Sequence, residues 1–346
     1  YTTINKSTEH FNTKLYTGDG STSSGITGVG FQPDLLWVKA RSQAYDHMLF
    51  DRVRQGAAAQ PFDIRSNNNS GQSTSTSNVK SFDSDGFTLN NGSYVNGNGV
   101  TFASWNWKAN GAGVANTDGA TASTVSANTT AGFSIVKYTG AGATTYGHGL
   151  GATPNMIIIK KLNSADDWFV YHHSIITASS SNKQFMRLNN TNALESNSTA
   201  YTFTSVSDTI FGVGTDDKIS ESGDSFIAYC FAEKSGYSSM GQYTGNGSAD
   251  GTFIYTGFKP AFVMVKSTTS VTEWHMADTA RRPNNSNDVY LAASSDASET
   301  TSDGVDFLSN GIKIRTSQGG WNQSGQTFIY MAFAEAPLVG SNNVPC

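Results

Sequence analysis

Tyr16-Thr-Gly18-Asp-Gly20, followed after ten residues by Phe31-Gln-Pro33-Asp-Leu-Leu-Trp-Val-Lys39, is written three times in this chain. A second copy runs from Tyr138-Thr-Gly140-Ala-Gly142 to Pro154-Asn-Met-Ile-Ile-Ile-Lys160. A third runs from Tyr243-Thr-Gly245-Asn-Gly247 to Phe258-Lys-Pro260-Ala-Phe-Val-Met-Val-Lys266. In each copy the lysine follows the proline by six residues across a hydrophobic run, and the tyrosine precedes the proline by sixteen or seventeen. Self-similarity at this spacing marks a chain built from repeated structural units.

The correspondence continues past the lysine at fixed offsets of 121 and 227 residues. Asp46 maps to Asp167 and Glu273, His47 to Trp168 and Trp274, and Asp51 to His172 and Asp278. Each copy closes on an aromatic run: Phe102-x-x-Trp105-x-Trp107, Phe226-x-x-Tyr229-x-Phe231 and Phe328-x-x-Met331-x-Phe333. The expected organisation is a first module over 1–108, a Gly/Ala/Thr-rich flexible linker over 109–131, modules over 132–236 and 237–336, and a polar tail over 337–346. About a hundred residues suffice for each module to bury a core without staples.

The apolar runs are short, rich in Val, Ile, Phe and Tyr, and bounded by Gly, Pro, Asn and Ser. No convincing helix stands out. Pro33 suits the first residue of a strand, where its missing N–H is tolerated. Phe82 to Leu89 reads as a hairpin around Asp85-Gly86, and the Asn/Ser/Thr/Gly stretch from Asn67 to Asn78 reads as an exposed loop. Such a pattern predicts an all-β fold of three tandem antiparallel β-sandwich modules, jelly-roll-like.

Charged residues make up only 14% of the 346, and the net charge of −5 argues against nucleic acid, which asks for a basic stripe. No run of eighteen apolar residues spans a membrane. Tyr1 to Lys6 does not read as a signal peptide. Of the two cysteines, Cys230 lies in an apolar run and is expected in the core, and Cys346 ends the polar tail, so no disulfide or metal framework is expected.

The Tyr-Thr-Gly-x-Gly phrase, Gly30-Phe31-Gln-Pro33-Asp34 and the closing run Phe328 to Glu335 resemble a repeat family of tailed-bacteriophage virion proteins, especially of marine and cyanobacterial phages. The resemblance covers nearly the whole chain, apart from 109–131 and the termini. The second copy departs from it at Ala152-Thr153, and the first at Trp105-Asn-Trp107. What it implies is a structural protein on the particle surface, of tail-fibre, tail-spike or head-fibre type, with other virion proteins as partners and no catalytic residues to carry over. A homotrimer is expected by analogy with fibres, and a pseudo-trimer of the three modules is the alternative. No heptad segment capable of driving a coiled coil is visible.

The most site-like residues are the acidic-aromatic set. Trp168 and Trp274, with Asp46, Asp167 and Glu273, are the candidate glycan contacts, because a sugar stacks its C–H face on an indole and gives its hydroxyls to polar neighbours. Against that stands packing of the tryptophans between sheets. Lys39, Lys160 and Lys266 are expected in framework salt bridges to carboxylates such as Asp51 or Asp278. Catalysis is not expected: Asp46 and Asp51 could face one another as a glycosidase pair, but His172 replaces the second acid in copy two. Gly236 to Gly241 lacks the nucleophile-elbow spacing, the six histidines form no metal-ligand motif, and Gly147-His-Gly149-Leu-Gly151 leads into no helix. No cofactor is implied. The functional expectations are a host-contacting adhesin, a decoration or tail-assembly component bound only to other virion proteins, or a polysaccharide depolymerase.

Overall fold

The computed structural model describes residues 2–54 and 62–337, so the tail beyond Pro337, with Cys346, lies outside the described residues. The first module carries β1 (Phe11–Thr17), β2 (Ser24–Thr27), β3 (Leu35–Ala40), β4 (Met48–Asp51), β5 (Ile64–Arg65), β6 (Val79–Asp83), β7 (Gly86–Leu89), the single-turn α1 (Ser93–Asn96) and β8 (Thr101–Trp107). Five strands pair in the order β1-β8-β3-β4-β5, and β2-β7-β6 form a smaller sheet.

In the second module follow β9 (Val114–Asn116), β10 (Ser123–Asn128), β11 (Phe133–Thr139), β12 (Thr144–Gly147), β13 (Met156–Lys161), β14 (Phe169–His172), β15 (Gln184–Arg187), β16 (Glu195–Ser196), β17 (Phe203–Val206), β18 (Ile210–Val213), α2 (Asp217–Ser220) and β19 (Ser225–Phe231). The third module has β20 (Ser238–Thr244), β21 (Phe253–Tyr255), β22 (Phe258–Ser267), β23 (His275–Asp278), β24 (Asn287–Ala292), β25 (Thr300–Leu308), β26 (Gly311–Ile314), α3 (Gly319–Asn322) and β27 (Thr327–Pro337). The chain is mostly β-strand in several antiparallel sheets, one of them nearly closed into a barrel. The central order recurs in each module: β1-β8-β3-β4, β11-β19-β13-β14 and β20-β27-β22-β23.

Alternation explains the continuous apolar runs. In β3, Leu36 and Val38 face the first module's own core while Leu35 and Trp37 face a core shared by all three modules. Strands buried on both faces lose the polar half of the usual pattern. The shared core gathers Trp37, Trp105 and Trp107 from the first module, Phe133, Ile158 and Tyr229 from the second, and Phe262, Met264 and Phe333 from the third. Cys230 is buried in the second module's own core.

The Tyr-Thr-Gly-x-Gly phrase clasps the one-turn helices. Tyr16, Tyr138 and Tyr243 donate their hydroxyls to the carbonyls of Val95, Ile219 and Trp321, at 2.6 to 2.8 Å. The first glycine gives the clearance: a Cβ at Gly18, Gly140 or Gly245 would sit 2.3, 2.0 or 2.3 Å from a backbone oxygen at the helix end. The second glycine turns at φ +69°, +71° and +69° and donates its N–H to Asn96, Ser220 and Asn322. A helix of four residues leaves no periodicity, so these turns do not register in the hydrophobic pattern.

Two segments differ from expectation. Residues 109–131 are no linker: β10 pairs with β11, and β9 pairs with β10, extending the second main sheet by two strands. Their small polar residues hide the period-2 signal, but backbone pairing needs none of it. The 67–78 loop is stitched to the second module, since Gln72 N–H donates to Leu162 and Asp166 N–H to Asn69, at 2.6 and 2.8 Å. Among the described residues no helix is long and apolar enough to cross a membrane.

Candidate functional site

The acidic-aromatic set lies where one module meets the module before it. Trp168 donates its indole N–H to the Arg65 carbonyl and Trp274 to the Arg187 carbonyl, both at 2.8 Å. Strand register makes Arg65, Arg187 and Ala292 equivalent, opposite Met48, Phe169 and His275. His47 takes the tryptophan's place at the third junction. Its Nδ1 accepts from Trp37 Nε1 at 2.8 Å, and burial holds its pKa well below the usual histidine range. That junction is also closed by Ser66, which donates to the Ala293 carbonyl at 2.8 Å, and by Arg41 with Glu299 at 2.7 Å.

These contacts correct the reading of the tryptophans as open platforms. Trp168 and Trp274 are 0% and 1% exposed, so no indole face is free for a sugar. The accompanying carboxylates brace the hairpins that carry them. Asp46 accepts from Arg65 and Asn67, Asp167 from Asn189 while pairing with Arg187, and Glu273 accepts the Ser294 hydroxyl. Glu273 also borders a cleft of about 160 Å³ with Tyr290, Ser295 and Thr300. A wider cleft of about 350 Å³ lies between Val53 and the Ser123, Lys137 and Tyr138 surface.

A second ring of contacts uses the next repeat position. Tyr229 donates its hydroxyl to Asp51 of the preceding module at 2.7 Å, and Trp105 donates its indole N–H to Asp278 at 3.1 Å. Each carboxylate is also paired with the arginine three residues on, Arg54 or Arg281, and all four charged side chains are buried. At the remaining junction Met331 stands where Trp105 and Tyr229 stand, and it has no proton to donate. There His172 replaces the aspartate, Ile175 replaces the arginine, and the His172 imidazole lies 3.3 Å from the Tyr330 carbonyl. Burial lowers the His172 pKa to about 3. Two junctions thus pair a donor with a buried acid, and the remaining one carries a thioether and an imidazole at the same repeat positions.

The lysines do not reach those aspartates. Antiparallel register sets Asp51 opposite Leu35, and Lys39 stands four residues further along, about 13 Å away. Lys39 donates to the Ala40 and Gln43 carbonyls, Lys160 to Lys161 and Asn69, and Lys266 to Thr191 and the Thr272 hydroxyl. Burial lowers all three to about 8. Lys160 and Lys266 therefore bridge modules through backbone carbonyls.

The proposed acid pair does not face a common substrate. Asp51 is committed to Arg54 and Tyr229, and Asp46 to Arg65 and Asn67. Among the described residues, no three or more His, Cys, Asp or Glu side chains are grouped to hold a metal ion. Sequence reading passed over Phe253 and Tyr255, which stay exposed on β21. Strand register sets them where β2 has Gly25 and Thr27, one residue off the 227-residue offset, so the linear repeat hides the departure.

No curated protein and no solved structure matches this chain. A family model described as a domain of unknown function, DUF7483, matches residues 6–337, taking in all three modules and the strands between the first two. With that match running across the three interlocked modules, the chain belongs to the DUF7483 family.

Proposed function

We propose that this chain is a structural protein of a bacteriophage particle surface, of tail-fibre or fibre-like type, whose loops contact the host cell. The finer fold reading is three tandem β-sandwich modules of jelly-roll type, each with its shorter strands packed over the face of the main strands that turns away from the shared core. The observation that carries the proposal is the use of the repeated polar residues. Asp51, Asp278, Trp168, Trp274, Lys160 and Lys266 are spent on holding module to module, which suits building material. Recognition then falls to residues that break the repeat. We read the chain as a non-enzyme, since the carboxylates able to form an acid pair are engaged in ion pairs.

The shared core supports a pseudo-trimer as the unit that is displayed, with a homotrimer of chains as the alternative. Weak host contacts suffice when many copies on one particle act together. Gold-labelled antibodies against the recombinant chain, applied to purified particles of the phage that encodes it, are expected to decorate the tail fibres. Gold on the capsid would move the chain to the decoration class. Absence of the chain from purified virions by mass spectrometry would overturn the proposal.

A further inference from the structure

The strand triplets β2-β7-β6, β12-β18-β17 and β21-β26-β25 are built alike, the last continuous with the third module's main sheet, but their outward faces are not. Ile26, Tyr146 and Ile254 are the core-facing hydrophobic residues of β2, β12 and β21, each opposite an apolar partner, Phe87, Phe211 or Ile312. Residues on either side of them face the other way. In the first module these are Gly25 and Thr27, and in the second Thr145 and Gly147. The second module covers its pair with its own chain, as Thr121 N–H donates to Thr145 and the Ser123 hydroxyl to Gly147, both at 3.1 Å. In the third module the same places hold Phe253 and Tyr255, 42% and 63% exposed. The fold does not need them, because smaller residues serve in the other two sheets.

The surroundings give the two rings a shape. Gly311 lies opposite Tyr255, and a Cβ there would come within 2.9 Å of the Phe253 ring, so that ring lies against bare backbone. The two residues are about 7 Å apart along the strand. Beside them, Lys313 pairs with Asp250 at 2.9 Å, and Arg315 pairs with Asp306 at 2.5 Å and approaches Asp250 at 3.6 Å. Two acids and two bases cancel, leaving a rim of zero net charge with both donors and acceptors.

We propose that this face of the third module, with Phe253 and Tyr255 as stacking rings and the Asp250, Lys313 and Arg315 rim as hydrogen-bonding partners, Asp306 holding Arg315 from behind, binds an uncharged oligosaccharide. A sugar has an apolar C–H face for the rings and hydroxyls for the rim. An acidic sugar gains little, because both cations already hold carboxylates. Nucleic acid gains little for the same reason, on a chain of net charge −5. A protein partner would have to bury the charged rim, at a desolvation cost that a hydrated sugar avoids.

The inference takes its setting from the adhesin reading, yet binding is measurable on the whole recombinant chain alone. The probe is a printed array of neutral hexose and N-acetylhexosamine oligomers beside sialylated and uronic-acid oligomers, followed by titration of the best binder. Neutral oligomers are expected to bind, and Phe253→Ala and Tyr255→Ala each to weaken Kd about tenfold, the scale of an interface hot spot. Both side chains are exposed, so melting temperatures should match the parent and exclude misfolding. No binding to neutral oligomers, binding to acidic ones alone, or an affinity untouched by the double variant would overturn the assignment. Particles lacking the chain would defeat the adhesin reading and leave the titration standing, whereas a flat titration with gold on the fibres would do the reverse.

Discussion

The Tyr229 hydroxyl reaches across a module boundary to Asp51 over 2.7 Å, in a region where both side chains and Arg54 are buried. A charge pair in such a place is costly to break by halves, because the surviving charge is left unpaired in a low dielectric. The equivalent repeat positions at the remaining junction hold His172, Ile175 and Met331, so the chain carries two solutions to one packing problem.

Exchange of the two solutions is the direct test. Asp51→His alone should cost about 3 to 5 kcal/mol, since Arg54 loses its counter-ion. Adding Arg54→Ile and Tyr229→Met should recover most of the loss. Urea denaturation of the single and triple variants measures both, and a triple variant no more stable than Asp51→His would refute the pairing.

Trp168→Phe keeps an aromatic ring and removes the donor to the Arg65 carbonyl. Leaving that oxygen unpaired should cost about 1 to 3 kcal/mol. Asp46→Asn, at a partly buried bracing contact that solvent still screens, should cost less, about 1 kcal/mol or below. Equal losses in denaturant midpoint would contradict the burial argument.

On the acid side, His172 and His275 are held at about 3 and 4 by burial, against 6.5 when exposed. Below pH 6.5 the unfolded chain takes up protons that the fold refuses, so stability should fall as pH drops from 6.5 toward 4. Asp34 and Asp63, pushed upward by burial, act the other way and flatten the lower end. Melting temperature against pH should slope upward over this window, less steeply in His172→Gln.

On the alkaline side the lysines give the opposite of the usual expectation for a salt-bridged base. Lys39, Lys160 and Lys266 stand near 8 in the fold and 10.5 when free. Between those values the unfolded chain binds more protons, so stability should rise with pH from about 8. Cys230, Tyr138, Tyr229 and Tyr243, all raised by burial, reverse the trend from about pH 9 to 10 upward. Lys160→Met should shrink the rise, and a monotonic fall from pH 7.5 in the parent would contradict it.

Gly140→Ala places a Cβ 2.0 Å from the Glu221 carbonyl oxygen and 2.8 Å from the Phe226 ring, which stacks on Tyr138. Neither can move without opening the Tyr138 clasp, and a loss of about 3 kcal/mol is expected. Gly25→Ala meets nothing within 4 Å and should be close to neutral. Thermal melts of the pair give the comparison.

The repeat, the strand runs and the Phe82 to Leu89 hairpin could be read directly, because glycine turns and apolar spacing are local properties. Trp168, Trp274 and Asp51 were found as special for the right reason, repetition, but their partners were not. Arg65 lies 103 residues from Trp168, and Tyr229 lies 178 from Asp51, distances over which a linear pattern carries no pairing information. Strands β9 and β10 escaped notice since backbone pairing leaves no mark on small polar side chains. Phe253 and Tyr255 leave no mark in the linear pattern, because an alternating aromatic pair reads alike whether it faces a core or solvent.

The unlike locks also impose an order. The first module carries a donor, Trp105, and an acid, Asp51, so three copies of it could mate with one another. The third offers Met331 to an acid and arginine pair, Asp278 and Arg281, and three copies of it would leave charges facing thioethers. Shuffling the modules along the gene is therefore penalised, and the first is the one from which a symmetric ancestor could have been assembled.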